Sequence, residues 1–173
     1  MNEVNPPLPN KFLGTRLVDV YKHDDSLKIL FDLMLERDPN VNISHKKMPT
    51  WREHVNFFES KPYRKWFLIE GVSWDTAKKI ELEPGSVNYA TAIVGACYLT
   101  RMNEVGVFIF SQYRGNGYGV DALNKLITKF KPLPEKPGVR LGRFIAHINP
   151  ANEKSIALFT KIGFSHKVNT YVL

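Results

Sequence analysis

The stretch Gln112–Gly119 reads QYRGNGYG. It lies between the apolar run VGVFIF (105–110) and VDALNKLITKF (120–130), whose apolar residues recur at helical spacing. A junction from strand to helix leaves about four backbone N–H groups without partners and with partial positive charge. Glycine allows φ > 0 and close approach of a ligand, and Arg114 adds a cation. The stretch therefore predicts either a phosphate-binding turn or a tight turn without a ligand.

Two common nucleotide-binding motifs do not match this stretch. A P-loop needs GxxxxGK[ST], and no lysine stands at the required place. In the dinucleotide pattern GxGxxG, Gly115 and Gly117 match the first two glycines, but the third position is Val120. The acidic residue that the pattern requires about 20 residues later, after a following strand, is also missing. Both nucleotide-binding motifs are therefore excluded.

The order of predicted elements indicates an α/β fold with a mixed sheet and helices on both faces. The predicted strands are 15–21, 64–70, 91–100, 104–110, 141–148 and 164–173, and the predicted helices are 26–37, 51–60, 120–130 and 153–163. Asp24 to Ser26 and Thr50 are expected to cap the first two helices. Strands joined by short turns are expected to be antiparallel, and the two strands joined through the helix at 120–130 parallel.

Composition narrows the class of protein. The chain has 173 residues, a net charge of +7 and a pI near 9.5, and we expect one domain over 1–173 with an irregular lead-in at 1–13. No apolar run is long enough to cross a bilayer and no secretory signal is evident, so neither a membrane partner nor export is expected. Cys97, the single cysteine, stands in an apolar run and is expected in the core; a cytoplasmic protein is predicted. Basic residues are scattered, and a nucleic-acid partner is not expected.

Two motifs taken together carry a family resemblance. QYRGNGYG matches [Q/R]xxGx[G/A], with Gln112, Gly115 and Gly117 at the fixed places. Downstream, NPANEKSIALFTKIGF (149–164) has an asparagine, a helix and a closing Gly-Phe. The chain resembles the GNAT superfamily of acyl-CoA N-acyltransferases from about Thr15 to its end. The resemblance implies a central, mostly antiparallel sheet in which one parallel strand pair splays apart.

The resemblance also implies acetyl-CoA as the acyl donor and assigns its binding residues. The pyrophosphate would lie on the amides of the glycine loop. The pantetheine arm would pair with the strand at 108–110 and pass the helix of the second motif. The residues implied for the cofactor are Phe108, Ile109, Phe110, Gln112, Tyr113, Arg114, Gly115, Asn116, Gly117, Tyr118, Gly119, Asn152, Ser155 and Phe159.

The sequence determines the catalytic residues less well than the cofactor-binding residues. Acyl transfer to an amine needs a neutral amine, a stabilised oxyanion and a departing thiolate. By resemblance, a backbone N–H near Ile109 would contact the oxyanion and Glu104 would be the base, with His147 as the rival. Family members often have a tyrosine where this chain has Phe159, and that tyrosine protonates the departing thiolate. In this chain water or Tyr171 would be the acid, or the thiolate would leave without one.

The acceptor is predicted to be a primary amine of a small molecule such as an amino sugar. The alternatives are a protein or peptide amine, or a CoA-binding sensor without turnover. His45, Lys46, Lys47, Trp51, His54, Tyr63 and Trp66 are candidates for the acceptor pocket, each with an ordinary core or surface role as the alternative. No metal-ligand spacing is present, and a final strand could pair two subunits as a homodimer.

Overall fold

The computed structural model describes residues 12–39, 47–74 and 89–167. Four strands form an antiparallel sheet in the order β1-β2-β3-β4. They are β1 (Phe12–Asp19), β2 (Lys65–Trp74), β3 (Tyr89–Leu99) and β4 (Val105–Ile109). The helices are α1 (Ser26–Leu35), α2 (Trp51–Glu59), α3 (Tyr118–Lys129) and α4 (Glu153–Lys161). The first four predicted strands and all four predicted helices are thus confirmed, with ends shifted by a few residues.

Neighbouring residues of the central strands face opposite sides of the sheet, and each side is covered by helices. Ile69 and Cys97 pack with Leu123 of α3 and Phe159 of α4. The opposite face packs β2 and β3 residues with Leu30 of α1. This alternation, with a period of two residues, places helices on both faces as predicted. Cys97 is completely buried, and burial raises the pKa of its thiol to about 12, so it is a core residue.

Local sequence explains where the second helix begins. The Thr50 side chain accepts from the Glu53 amide, and the Glu53 carboxylate accepts from the Thr50 amide at 2.7 Å, which is a capping box. The predicted cap at Thr50 is therefore confirmed. Asp25 occupies the N-cap of α1, but its side chain makes no capping hydrogen bond.

Asp121 fixes α3 against the edge strand β1. Its Oδ2 accepts from the amide and the hydroxyl of Thr15, each at 2.8 Å. Lys125 donates to the same oxygen at 2.8 Å and to the Thr15 carbonyl at 2.6 Å. These hydrogen bonds set how α3 lies across the sheet, and therefore where its N-terminus ends relative to β4.

The predicted fifth strand at 141–148 is not formed as a strand. Within the described residues, the segment makes one parallel bridge to the start of β4, between Glu104 and Ile145. The amide of Val105 donates to the Ile145 carbonyl at 2.9 Å, and the Ile145 amide donates to the Asn103 carbonyl at 3.0 Å. The predicted parallel direction is right, but an apolar run cannot show whether a partner edge continues beside it. Residues 164–167 of the predicted last strand do not form a strand, and the rest of the predicted strand lies outside the described residues.

Candidate active site

The glycine loop follows β4 through a 3₁₀ turn at Ser111–Tyr113 and leads into α3. Gly115 and Gly117 have φ of +83° and +86°, which L side chains rarely adopt. A Cβ at Gly115 would have open space around it, so backbone conformation and not crowding requires this glycine. Gly117 is the N-cap, and its carbonyl accepts from Asp121. The amides of the first turn of α3 therefore have no acceptor within the helix.

The loop's larger side chains are held by the protein itself. Tyr113 and Tyr118 are buried with ring centroids 6.2 Å apart. The side-chain amide of Asn116 donates to the backbone carbonyl of Tyr113. The amide of Arg114 donates to Ser111, so it is already used within the loop. Gln112 is exposed. The main chain from Gly115 onward remains the part of the loop suited to hold an anion.

The Arg114 side chain turns back toward β4 instead of extending along the loop. Its Nε donates to the Ile109 carbonyl at 2.9 Å, and its guanidinium lies 5.2 Å from the centroid of the Phe108 ring. Glu36, next to the end of α1, lies 3.7 Å from the same guanidinium and accepts from the Ser111 amide at 2.7 Å. These contacts join the end of α1 to the glycine loop.

Gly119 packs closely against α4 and β4, and a side chain there would require the end of the Leu158 side chain to shift. A Cβ there would lie 2.9 Å from Cδ1 of Leu158 on α4 and 3.6 Å from Cγ1 of Ile109 on β4. The third glycine of the loop thus lets α3, α4 and β4 approach one another. This role brings the N-terminus of α3 next to the last residues of β4.

Among the described residues, no strand pairs with the outer edge of β4 beyond the bridge to Ile145, and Arg114 binds the Ile109 carbonyl there. Val105 directs its amide away from β3 to the Ile145 carbonyl, whereas Phe110 donates to Val94 on β3 at 3.0 Å. Because strand residues alternate, Val107 and Ile109 direct their N–H and C=O groups to the open side. Phe108 and Phe110 direct theirs to β3. A strand-like ligand at this edge would therefore pair with Val107 and Ile109, and sequence reasoning missed Val107.

The two candidate bases, Glu104 and His147, lie together. His147 Nε2 is 3.3 Å from Glu104 Oε1, and the His147 and Glu104 side chains are 64% and 33% exposed, respectively. The Glu104 backbone is held by Thr100, whose hydroxyl accepts from the Glu104 amide at 3.0 Å. Both side chains line a cavity of about 370 Å³ that is also lined by Met102, Ile145 and residues 135–141. The arrangement gives a positioned carboxylate–imidazole pair open to solvent.

Asn103 is a residue whose importance the sequence did not reveal. It is fully buried with φ of +64°, in the turn between β3 and β4. Its amide donates to the carbonyls of Leu133 and Leu141 at 2.8 and 2.7 Å, and its carbonyl oxygen accepts from the Leu133 amide at 2.7 Å. One side chain therefore binds both ends of the loop that forms a wall of the cavity. Only the turn preference of Met102-Asn103 was visible in the sequence.

The second motif is used mainly for local structure. Asn152 caps α4 by accepting from the Ser155 amide at 3.1 Å. Phe159 is 6% exposed and packs edge-on against Phe164 with ring centroids 5.2 Å apart. The roles of Asn152, Ser155 and Phe159 toward a cofactor stay predictions.

An aromatic and charged surface covers β3 and β4 on the α1/α2 side of the sheet. Tyr63 stacks on Tyr98 with ring centroids 4.4 Å apart, and the Tyr98 ring lies against the bare backbone of Gly106. Burial raises the pKa of Tyr63 to about 12 and raises that of Tyr98. The charge of Arg37 lowers the pKa of both tyrosines, and the charge of Glu104 raises it. We call Arg37, Tyr63, Tyr98, Glu104 and Phe108 the acceptor face, because this surface is the candidate place for an amine acceptor.

The other acceptor candidates are dispersed. His54 is buried and its Nε2 lies 2.9 Å from the Leu27 carbonyl, which joins α2 to α1. Trp66 is 8% exposed and belongs to the core, while Trp51 is 47% exposed. Lys47 is exposed, and His45 and Lys46 lie outside the described residues. Of the aromatic candidates, Tyr63 belongs to the acceptor face.

The residues that the structure describes contain neither a metal-binding cluster nor a membrane-spanning helix. No group of three or more His, Cys, Asp or Glu side chains there could hold a metal ion. No helix in those ranges combines the length and apolarity needed to cross a bilayer.

Comparison with known proteins gives a family and a set of similar folds. Residues 24–165 match the family model described as the acetyltransferase (GNAT) domain. No curated protein matches the chain. Among solved structures, a domain from Methanocaldococcus jannaschii DSM 2661 is similar with a TM-score of 0.61 and 19% identity, over 88% of this chain and 89% of that chain.

Two further solved structures are named as acetyltransferases. A putative acetyltransferase from Salmonella typhimurium, solved with its cofactor acetyl-CoA, has a TM-score of 0.51 and 17% identity, over 90% of this chain and 80% of that one. A mutant of spermidine N-acetyltransferase from Vibrio cholerae has a TM-score of 0.51 and 16% identity, over 90% of this chain and 82% of that one. At this identity the likeness concerns the fold. Because the family model covers most of its length and the fold agrees, the chain belongs to the GNAT family of acetyl-CoA-dependent N-acyltransferases.

Proposed function

We propose that the chain transfers an acetyl group from acetyl-CoA to a primary amine of a small molecule, of which an amino sugar is one class. The observation that carries the proposal is the open edge of β4 beside the N-terminus of α3. Val107 offers its amide and carbonyl groups there, and Ile109 offers its amide, because Arg114 already donates to the Ile109 carbonyl. The next segment of chain turns into a helix whose first amides lack intrahelical partners. An elongated, amide-bearing ligand that ends in phosphates matches both features.

The residues present fit acetyl-CoA. The positive φ at Gly115 and Gly117 lets the main chain curve around an anion, and a Cβ at Gly115 would project into open space. The solved relative from Salmonella typhimurium holds acetyl-CoA, and the family match extends over both motifs. When bound, acetyl-CoA supplies the thioester whose acetyl group is transferred. The amides from Gly115 to Gly119 would hold its pyrophosphate, and the Ile109 amide and the Val107 carbonyl would hold its pantetheine arm.

The Glu104–His147 pair would make the acceptor amine neutral. An ammonium group must lose a proton before it can attack, and a carboxylate 3.3 Å from an imidazole offers two groups that can accept one. Glu104 is the base in this proposal and acts through a water molecule, and His147 carries the proton onward to solvent because it is the more exposed of the two. The Val107 amide, which is directed to the same open edge as Ile109 and is nearer Glu104 along β4, would donate to the developing oxyanion.

The departing thiolate is left without an evident acid within the described residues. Phe159 cannot donate a proton and is buried, and Tyr171 lies outside the described residues. A CoA thiolate can leave without a protein acid and take its proton from solvent. The same observation favours one alternative function, a CoA-binding sensor without turnover.

Thiol release from acetyl-CoA over a panel of primary amines tests the proposal. We expect turnover with at least one small amine, and Glu104→Gln to lower kcat by about 10²–10⁴-fold, the usual effect of a general base. His147→Gln should lower kcat less and change the shape of the rate–pH profile. Glu59→Gln removes an exposed carboxylate at the end of α2 and serves as the matched control, with unchanged kcat.

Two outcomes would contradict the proposal in different ways. Binding of acetyl-CoA without thiol release on any amine would favour the sensor. Full activity of Glu104→Gln with an unchanged pH profile would keep the transferase and remove Glu104 as its base.

A further inference from the structure

Arg37 places a cation on the acceptor face. It follows α1, is half-buried, and its guanidinium carbon lies 5.6 Å from the centroid of the Phe108 ring. Arg114 approaches the same ring but is bound to the Ile109 carbonyl and lies near Glu36. No ion pair joins Arg37 to a carboxylate in the part of the chain that the structure describes.

Stacking on Phe108 does not provide hydrogen-bond acceptors for the guanidinium of Arg37. Contact with an aromatic face uses the flat side of the group, and its N–H donors lie in the plane and remain available. That fork of donors matches the two oxygens of a carboxylate or a phosphate. A half-buried arginine without a carboxylate partner, held over a ring, is therefore prepared for an external anion.

The position of Arg37 relative to Glu104 indicates what kind of molecule would bring that anion. Glu104, Gly106 and Phe108 follow one another along the same side of β4, and the Tyr98 ring covers the bare Gly106 between them. Arg37 stands over Phe108, and Glu104 lies beside His147. A molecule lying along this side of β4 meets the Glu104 carboxylate at one end, aromatic rings in the middle and the Arg37 cation at the other end.

We propose that the acceptor carries a carboxylate or phosphate group in addition to its amine, and that Arg37 binds this anionic group. The inference rests on the proposed transfer to a small amine and names the class of that amine. The amine end lies toward Glu104, which removes its proton, and the anionic end toward Arg37. A polyamine is disfavoured, because its second ammonium group would approach Arg37 on a protein of net charge +7.

Matched pairs of acceptors test the proposal by thiol release from acetyl-CoA. The panel is 6-aminohexanoate with its neutral amide, glucosamine 6-phosphate with glucosamine, and spermidine. We expect at least one anionic member to exceed its neutral partner by about tenfold or more in kcat/KM, the value of hydrogen bonds to a charged group. The pair that shows the preference also tells a carboxylate from a phosphate.

Variants identify Arg37 as the source of the preference. Arg37→Gln should lower kcat/KM for the preferred anionic acceptor about 10–100-fold, mainly through KM, and leave its neutral partner within about twofold. Arg37→Lys should recover part of the loss, because it restores the charge without the planar fork. Arg16→Gln removes an exposed arginine of β1 that pairs with Glu70, and it should change neither acceptor.

Each remaining outcome overturns the proposal, and the outcomes can be told apart. Equal losses on anionic and neutral acceptors, or weaker acetyl-CoA binding by calorimetry in Arg37→Gln, would make Arg37 a structural or donor-side residue. Preference for spermidine or for the neutral members would exclude the anionic class while leaving the transferase intact. No thiol release from any amine, with acetyl-CoA bound, would contradict the proposed function itself.

Discussion

Replacing Gly106 by alanine should disturb the floor of the acceptor face. A Cβ at this position of β4 would lie 2.3 Å from Cζ and 2.5 Å from Cε1 and the hydroxyl oxygen of Tyr98. Ordinary contact begins near 3.4 Å, so the ring must move by about 1.1 Å. Tyr98 cannot move outward freely, because it is stacked on Tyr63 with ring centroids 4.4 Å apart and 14° between planes.

The expected magnitude follows from these contacts. Overpacking of a well-packed site costs about 1–3 kcal/mol, and part of the ring–ring attraction of about 0.5–1.5 kcal/mol is lost as well. We therefore expect Gly106→Ala to lower the free energy of unfolding by about 2–3 kcal/mol in denaturant titrations. In the acetyl-transfer assay, kcat/KM for the acceptor should fall while acetyl-CoA affinity stays unchanged.

A double-mutant cycle decides whether the Tyr98 ring is the cause. On a Tyr98→Ala background the clash is absent, so Gly106→Ala should cost less than about 1 kcal/mol. Gly138→Ala is the control for backbone strain alone, since its φ is +69° and a Cβ there meets nothing within 4 Å. An equal cost of Gly106→Ala with and without the Tyr98 ring would refute the reasoning.

Three further changes test other parts of the structure. Burial raises the pKa of Asp121, but hydrogen bonds from Lys125 and Thr15 together outweigh burial and hold this pKa below its usual value. The unfolded chain therefore binds more protons than the folded chain. The contribution of Asp121 to stability is present above about pH 4 and is lost as the pH falls further. The difference in Tm between wild type and Asp121→Asn should accordingly shrink in acid, and a constant difference would contradict this. Asn103→Ala leaves buried groups of the 133–141 loop unpaired and should cost about 3 kcal/mol in chemical denaturation, whereas a loss below about 1 kcal/mol would show that the loop is held elsewhere. Gly117→Ala forces a side chain into φ of +86° and should weaken acetyl-CoA binding at least about tenfold by calorimetry. The similarly strained Gly138→Ala should leave acetyl-CoA binding unchanged. Equal affinities of wild type and Gly117→Ala for acetyl-CoA would exclude the glycine loop as the anion site.

The local elements and the family were readable from the sequence because their signals are short-range. The glycines of 112–119 show that the backbone must adopt φ > 0 at a strand-to-helix junction, and Gly115 and Gly117 do so. Thr50 followed by Glu53 predicts a helix start, and the capping box is present. Apolar periodicity placed four strands and four helices. Each of these signals is complete within one turn, one helix or one strand.

Some sequence-based expectations changed because the deciding contacts do not belong to any local sequence pattern. Arg114 is a cation at the glycine loop in sequence, but the Ile109 carbonyl and Glu36 turn its side chain back to β4. The apolar run at 141–148 pairs with β4 through Ile145 and then leaves it. No local pattern records whether a neighbouring edge continues beside a strand.

The sequence by itself determined the helices, most strands, the glycine loop and the family, because those depend on backbone conformation and on residues close together in the chain. Tertiary structure alone decided that Glu104 meets His147 at 3.3 Å and that Asn103 binds both ends of a distant loop. It also decided that Arg37 stands over Phe108. Contacts between residues 30 or more positions apart depend on how helices pack on a sheet, and packing is a property of the whole fold, which short-range patterns do not encode.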